Sequence, residues 1–345
     1  MKLRKAISFL LAVILVTGVV TVSCFAGDES RESVMGFEYG IGPETEGYAI
    51  DYRYYSPVKE NDTTKYPLVV WLHGMGDGAY DGKQVERSDI SLWTSADYQS
   101  RFKESGGAFI FAARSVEEKG LYWDDCLIYP LRAAIDDFIA ENKTNIDLSR
   151  IYVGGYSMGG KMTLKMAVAY PELFAAAFPI CPAWVPGTAA TSKLADMPVW
   201  LTSGTADPLV NYFAWVMTTW KNIVAESDVP GSCRFSTLSV VTYPDGLPTS
   251  SAHHAWFAVN NDMFSSKNGD YPFMKTFDGN GDKVKLTYPD GMISWLSGFT
   301  SVYDGSAATD SGNAEAMAEG EFFNGLATVM AFFRNFFEYI TTMLF

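Results

Sequence analysis

The chain has 345 residues, and 48% of them are hydrophobic, enough for a large core and for one or two domains. Its formal charge is −14 and its pI is near 4.7. That balance argues against nucleic-acid binding, which needs a basic surface, and against a polyanionic substrate. In chain order, Lys2, Arg4 and Lys5 precede a mostly apolar run from Ala6 to Val20, and Cys24-Phe25-Ala26 offers a small-x-small cleavage site. Residues 1–26 therefore read as a secretion signal. Their removal takes away three basic residues and no acidic one, moving the charge from −14 to −17. The alternatives are an uncleaved anchor and lipoprotein processing at Cys24 in Thr21-Val-Ser-Cys24. Without Cys24, Cys126, Cys181 and Cys233 remain, an odd number that cannot all pair, so buried free thiols are expected. No Cys/His cluster has zinc spacing, and no metal or organic cofactor is expected.

Residues 27–36 form a polar lead-in. Phe37 to Gly42 and Tyr48 to Tyr55 read as an opening pair of strands. Tyr66 to His73 is nearly all apolar, as a strand buried on both faces of a parallel sheet must be. Asp97 to Glu104 reads as helix, and Gly107 to Ala113 as the next buried strand. Leu127 to Asn142 repeats apolar residues at Leu127, Leu131, Ile135 and Phe138, an amphipathic helix. Further strands are expected at Arg150 to Val153, Leu173 to Ile180, Pro198 to Thr202 and, last, Arg234 to Tyr243. Helices are expected at Lys161 to Tyr170, at Tyr212 to Val224 and near Phe299. Strands alternating with helices predict one α/β domain over 37–301, with helices on both faces of a mainly parallel sheet.

Residues 260–289 read as an insertion. Within it, Asp278-Gly-Asn-Gly-Asp282 has the start of a calcium loop, but Lys283 stands where Gly is needed and Pro289 where Glu is needed, so a Gly-rich hairpin turn is expected. Residues 302–321 are small, polar and acidic, a flexible linker. Residues 322–345 repeat Phe, Leu, Met and Ile at helical spacing against a polar face without a basic stripe. This predicts an amphipathic helix that self-associates, docks on a hydrophobic partner or contacts a membrane.

The stretch with the sharpest chemical content is Gly155-Tyr-Ser157-Met-Gly159. Between a strand and a helix, Gly-x-Ser-x-Gly makes a turn so tight that the Ser is strained and its Oγ stands clear of the sheet edge. Ser157 is therefore the expected nucleophile. It needs a base, and the chain has three His. His73 precedes it at a strand end, in His73-Gly-Met-Gly-Asp-Gly78, where an oxyanion loop belongs. His253 and His254 follow the last expected strand, where the base belongs in the order Ser, acid, His. Asp207, in Ser203-Gly-Thr-Ala-Asp207, follows the next-to-last strand and is the expected acid, holding the imidazole in the right tautomer. The expected oxyanion donors are the N–H of Met158 and that of Met75, with Gly74 as the alternative.

Together with Pro179-Ile-Cys181 and His253-His-Ala-Trp256, these motifs resemble the secreted esterase branch of the α/β-hydrolases. That branch holds feruloyl and acetylxylan esterases, polyhydroxybutyrate depolymerases and predicted peptidases. The resemblance runs from about Tyr48 to Trp256 and resumes near Phe299. It implies the α/β-hydrolase fold and a base followed three residues later by Trp, which points to His253. It also implies carboxylic esters on a plant-wall polysaccharide or a polymer as substrate. Tyr122, Trp123, Trp184 and Trp256 could form an aromatic platform for a sugar or phenolic group. A serine peptidase on the same triad is the alternative, disfavoured by the absence of a second, propeller-like domain to gate peptides. A non-catalytic binding module is the third reading.

Overall fold

The computed structural model describes residues 32–266, 269–270 and 273–305. The expected secretion signal at 1–26, the Cys24 alternative, residues 27–31 of the lead-in, residues 306–321 of the linker, and the amphipathic segment at 322–345 lie outside the described residues.

Nine strands form one sheet: β1 (Glu38–Ile41), β2 (Asp51–Tyr55), β3 (Tyr66–Leu72), β4 (Phe109–Ala113), β5 (Ile146–Tyr156), β6 (Ala176–Ile180), β7 (Trp200–Gly204), β8 (Arg234–Leu238) and β9 (Met274–Asp278). Their order is β1-β2-β4-β3-β5-β6-β7-β8-β9. The six strands from β4 to β8 run parallel, and β1, β2 and β9 are antiparallel to their neighbours. The main helices are α1 (Ile128–Glu141), α2 (Met158–Ala169), α3 (Met217–Glu226), α4 (Trp256–Asn260) and α5 (Met292–Leu296). This is the α/β-hydrolase architecture, a mostly parallel sheet with helices on both sides. Every residue of β3, β4, β6 and β7 is buried, because helices cover both faces of a parallel sheet. Among the described residues no helix is long and apolar enough to cross a membrane.

Three expectations need correction. The helix expected at 97–104 is a single turn, Ala96–Gln99. The buried Gln99 side chain donates to Trp93 O and accepts from Ala108 N, which ties the end of this turn to the entry of β4 and leaves no length for more helix. The helix expected from Tyr212 opens as a wide π turn over Tyr212–Val216, with Asn211 Oδ1 accepting from Ala214 N at 2.8 Å, and only then becomes α3. The stretch ending at Tyr243 is not the last strand, because the 260–289 segment is part of the sheet. Its β9 pairs with β8 in the register Met274↔Leu238 to Asp278↔Arg234. Asp278 Oδ1 then accepts from Asn280 N and Asp282 N, each at 2.9 Å, closing a tight turn. The segment is also fastened from inside. Asp262 Oδ1 accepts from Met292 N at 2.7 Å, and its Oδ2 accepts from Arg101 Nη1 at 2.7 Å.

Candidate active site

β5 ends at Tyr156, Ser157 has φ 57° and ψ −116°, and α2 begins at Met158. Left-handed φ at a non-glycine residue is strain that the surroundings must hold. Here Ser157 N donates to Ile180 O at 2.9 Å, while Ser157 O accepts from Lys161 N and Ala183 N at 2.9 and 3.1 Å. The flanking glycines are a matter of space. A Cβ on Gly155 would run into Leu72 O, and one on Gly159 into the carbonyl oxygens of Leu72 and His73. β3 thus passes directly under the elbow, and only hydrogen atoms fit between.

Asp207 lies just beyond β7, and His253 lies in the loop before α4. His253 Nδ1 meets Asp207 Oδ2 at 2.7 Å. Asp207 Oδ1 accepts from Leu209 N at 2.8 Å and from Val210 N at 2.9 Å. Both side chains are buried. Burial opposes charge on the imidazole, but the charge that Cys181 would carry as a thiolate and the Asp207 carboxylate both favour it, and His253 is held well above the ordinary histidine value. Burial pushes the Cys181 thiol up, so at neutral pH the carboxylate is the charge that matters. Trp256 fixes the ring from the side. It meets His253 edge-on, with centroids 6.0 Å apart, and stacks on Tyr156 at 4.1 Å. Since Tyr156 is the residue before Ser157, this stack ties the imidazole to the elbow. His254 does not meet Asp207. It packs on Trp256 and Phe257, and burial lowers it to about 4.

His73 is fully buried. Its Nε2 accepts from Ser115 N at 3.0 Å, so Nδ1 carries the proton and donates to Gly74 O at 2.6 Å. Burial lowers its pKa to about 4, so it stays neutral and holds the loop that follows. Gly76 N donates to Glu117 Oε1 and Gly76 O accepts from Lys83 Nζ, both at 2.7 Å. Tyr156 O–H donates to Asp77, whose carboxyl is pushed up to about 7 by burial. These contacts fix the loop that carries Met75. The N–H of Met158 and that of Met75 make no hydrogen bond among the described residues, and a first-turn helical N–H has no partner within its helix.

The aromatic platform is corrected. Trp123 is fully buried, with Nε1 donating to His73 O at 2.9 Å, and Trp256 is 8% exposed behind His253. Both are structural walls. Tyr122 and Trp184 remain half-buried, with Lys165 Nζ 5.0 Å from the Trp184 ring centroid. The cysteines divide in the same way: Cys181 and Cys233 are buried, but Cys126 is exposed. Sequence reasoning missed Asp77 and Cys181. Cys181 directly follows β6, and its Sγ donates to His253 O at 3.5 Å. The position after a parallel strand, at the same sheet edge as Ser157 and Asp207, was the available signal.

A family model described as phospholipase/carboxylesterase matches residues 128–229, the stretch that carries Ser157 and Asp207. Among solved structures, a thermostable esterase is 26% identical with a TM-score of 0.54, over 67% of this chain and 61% of that one. The chain thus spans about three fifths of the length of that esterase. The esterase Est22 is 14% identical with a TM-score of 0.37, over 55% of this chain and 68% of that one. An acylaminoacyl peptidase of Pyrococcus horikoshii is 14% identical with a TM-score of 0.39, over 55% of this chain and 35% of that one. No curated protein sequence matches the chain.

Proposed function

We propose that the protein is a serine hydrolase of carboxylic esters. The observation that carries this reading is the 2.7 Å bond between His253 Nδ1 and an Asp207 already anchored by two backbone N–H groups, at the sheet edge where Ser157 stands on a strained elbow. Similarity to the phospholipase/carboxylesterase family and to a thermostable esterase supports esters as the substrate class. In this mechanism His253 Nε2 takes the Ser157 proton as Oγ attacks the ester carbonyl, and Asp207 stabilises the imidazolium. The N–H groups of Met158 and Met75 receive the oxyanion. His253 then protonates the leaving alcohol and activates the water that releases the acyl group.

The finer assignments belong to the same proposal. Residues 1–26 direct secretion. The substrate is an ester on a polysaccharide or polymer, met by Tyr122 and Trp184. Residues 322–345 self-associate or dock on a hydrophobic partner. The test compares wild type with Ser157→Ala on p-nitrophenyl acyl esters, methyl ferulate, acetylated xylan and a p-nitroanilide peptide. Wild type is expected to cleave esters, and the Ala variant to lose at least about a thousandfold. Equal rates in the two proteins would end this reading, and a preference for the anilide would replace esterase with peptidase.

A further inference from the structure

Cys181 is the buried group at this site that ester hydrolysis does not use. Its own backbone is strained, with φ 36°, and is held there by Cys181 N donating to Thr202 O at 2.8 Å. The thiol sulfur, a carboxylate oxygen of Asp207 and a ring nitrogen of His253 all lie within 4.8 Å of one another. We propose that Cys181 Sγ, Asp207 Oδ2 and His253 Nδ1 form a site for a thiophilic divalent cation of the Zn2+ and Cd2+ class, whose binding switches His253 off.

The donor chemistry selects the ion. One sulfur, one imidazole nitrogen and one carboxylate oxygen suit Zn2+ and its heavier congener, while Mg2+ and Ca2+ take oxygen-only sets. The geometry is within reach. Ligands at ordinary zinc bond lengths of about 2.0–2.3 Å on a tetrahedral ion stand about 3.3–3.8 Å apart. The 2.7 Å His253–Asp207 contact must open slightly and the sulfur must close in, movements on the order of an ångström each. A water molecule would complete the fourth position.

The protons balance. Coordination takes the Nδ1 lone pair, so the one proton that the bound ring keeps sits on Nε2, and a ring that starts protonated releases its Nδ1 proton to solvent. The thiol gives up its proton to solvent. A ring with Nε2–H has no lone pair for the Ser157 proton, so base catalysis stops. Because all three donors are buried, entry requires local opening, and inhibition is expected to develop slowly rather than at mixing.

Cation binding stands apart from the hydrolase reading; only the loss of activity rests on it. The experiment uses the full chain with Cys24→Ser and Cys126→Ser, which removes the exposed Cys126 thiol and the cysteine outside the described residues. Cd2+ is titrated into this protein carrying Ser157→Ala, read by calorimetry and by the thiolate-to-Cd2+ charge-transfer absorption. One Cd2+ per chain is expected, with the absorption band present and no competition from Mg2+. Cys181→Ala and the near-isosteric Cys181→Ser, each checked by thermal melting, should lose the band and weaken binding at least about tenfold. With Ser157 intact, Cd2+ and Zn2+ should slowly abolish ester cleavage, and EDTA should restore it. Binding of equal affinity in a folded Cys181 variant overturns the site. Normal Cd2+ binding by a protein that cleaves no ester without metal upholds the site and overturns the hydrolase reading.

Discussion

Asp207→Asn removes one charge while leaving the side chain's backbone anchors in place, and its effect can be worked from the hydrogen bonds. Asp207 Oδ1 accepts from Leu209 N and Val210 N at 2.8 and 2.9 Å. An Asn amide must keep its oxygen at that position, because turning the NH2 toward two N–H donors would forfeit both bonds, about 1–3 kcal/mol for each buried group left unpaired. The NH2 therefore faces His253 Nδ1, which can only accept from it. The ring proton moves to Nε2, the wrong tautomer for taking the Ser157 proton. Loss of kcat/KM by roughly 10⁴ is expected, the scale of the equivalent change in the Ser-His-Asp template. The pH profile adds a signature. Activity needs the neutral imidazole, so it rises with pH through the His253 pKa. Asp207 is one of the charges that raise that pKa, so its removal should move the variant's limb down in pH relative to wild type. The assay is kcat/KM for p-nitrophenyl acetate across pH, beside thermal melting to show that the fold is kept. A folded variant within about tenfold of wild type, with an unmoved limb, would refute the assignment of Asp207.

Gly159→Ala places a methyl against backbone carbonyls that cannot turn aside, so a loss of at least about 2 kcal/mol is expected in urea unfolding; a neutral result would mean β3 does not pass under the elbow. Arg101→Met leaves the buried Asp262 without its ion-pair partner, and a loss of about 3 kcal/mol is expected. Because burial already raises Asp262 to about 6, part of that loss should be recovered at pH 5, and pH-independent destabilisation would contradict the account. His73 is buried neutral with its pKa lowered to about 4 from 6.5. The unfolded chain gains its proton first, so the His73 contribution falls as pH drops from 6.5 toward 4, by up to about 3 kcal/mol. His73→Gln keeps one donor and one acceptor, and its stability measured relative to wild type should improve over that window; parallel curves would show that His73 does not titrate this way.

Much of the fold was legible because burial leaves a direct mark on composition. Tyr66–Leu72, Phe109–Ala113 and Ala176–Ile180 are nearly pure apolar runs, and only strands covered on both faces need that. β9 was hidden for the converse reason. An antiparallel edge strand is half solvated, so Met274-Lys-Thr-Phe-Asp278 alternates and is short enough to vanish among its polar neighbours. Helix limits at 97–104 and 212–216 were set by where the chain had to turn and by what capped it, which local periodicity does not encode.

The candidate site divides along the same line. Gly155-x-Ser157-x-Gly159 is a local geometric device, and its spacing together with the strand before it and the helix after it identifies the elbow. The order of Ser157, Asp207 and the His pair limits the partners to a few residues. Choosing His253 over His254 by contact needed tertiary structure, since adjacent loop residues point in different directions and only one of them meets Asp207. The fate of the aromatics needed it as well. Trp123 and Trp256 have the composition of a binding surface, yet one sits under His73 and the other behind His253, because neighbours distant in sequence decide what solvent reaches. Cys181 shows this most clearly. As a sequence position it is one more unpaired thiol, and it gains chemical meaning only because the parallel sheet brings the ends of β6 and β7 and the loop before α4 to a common edge.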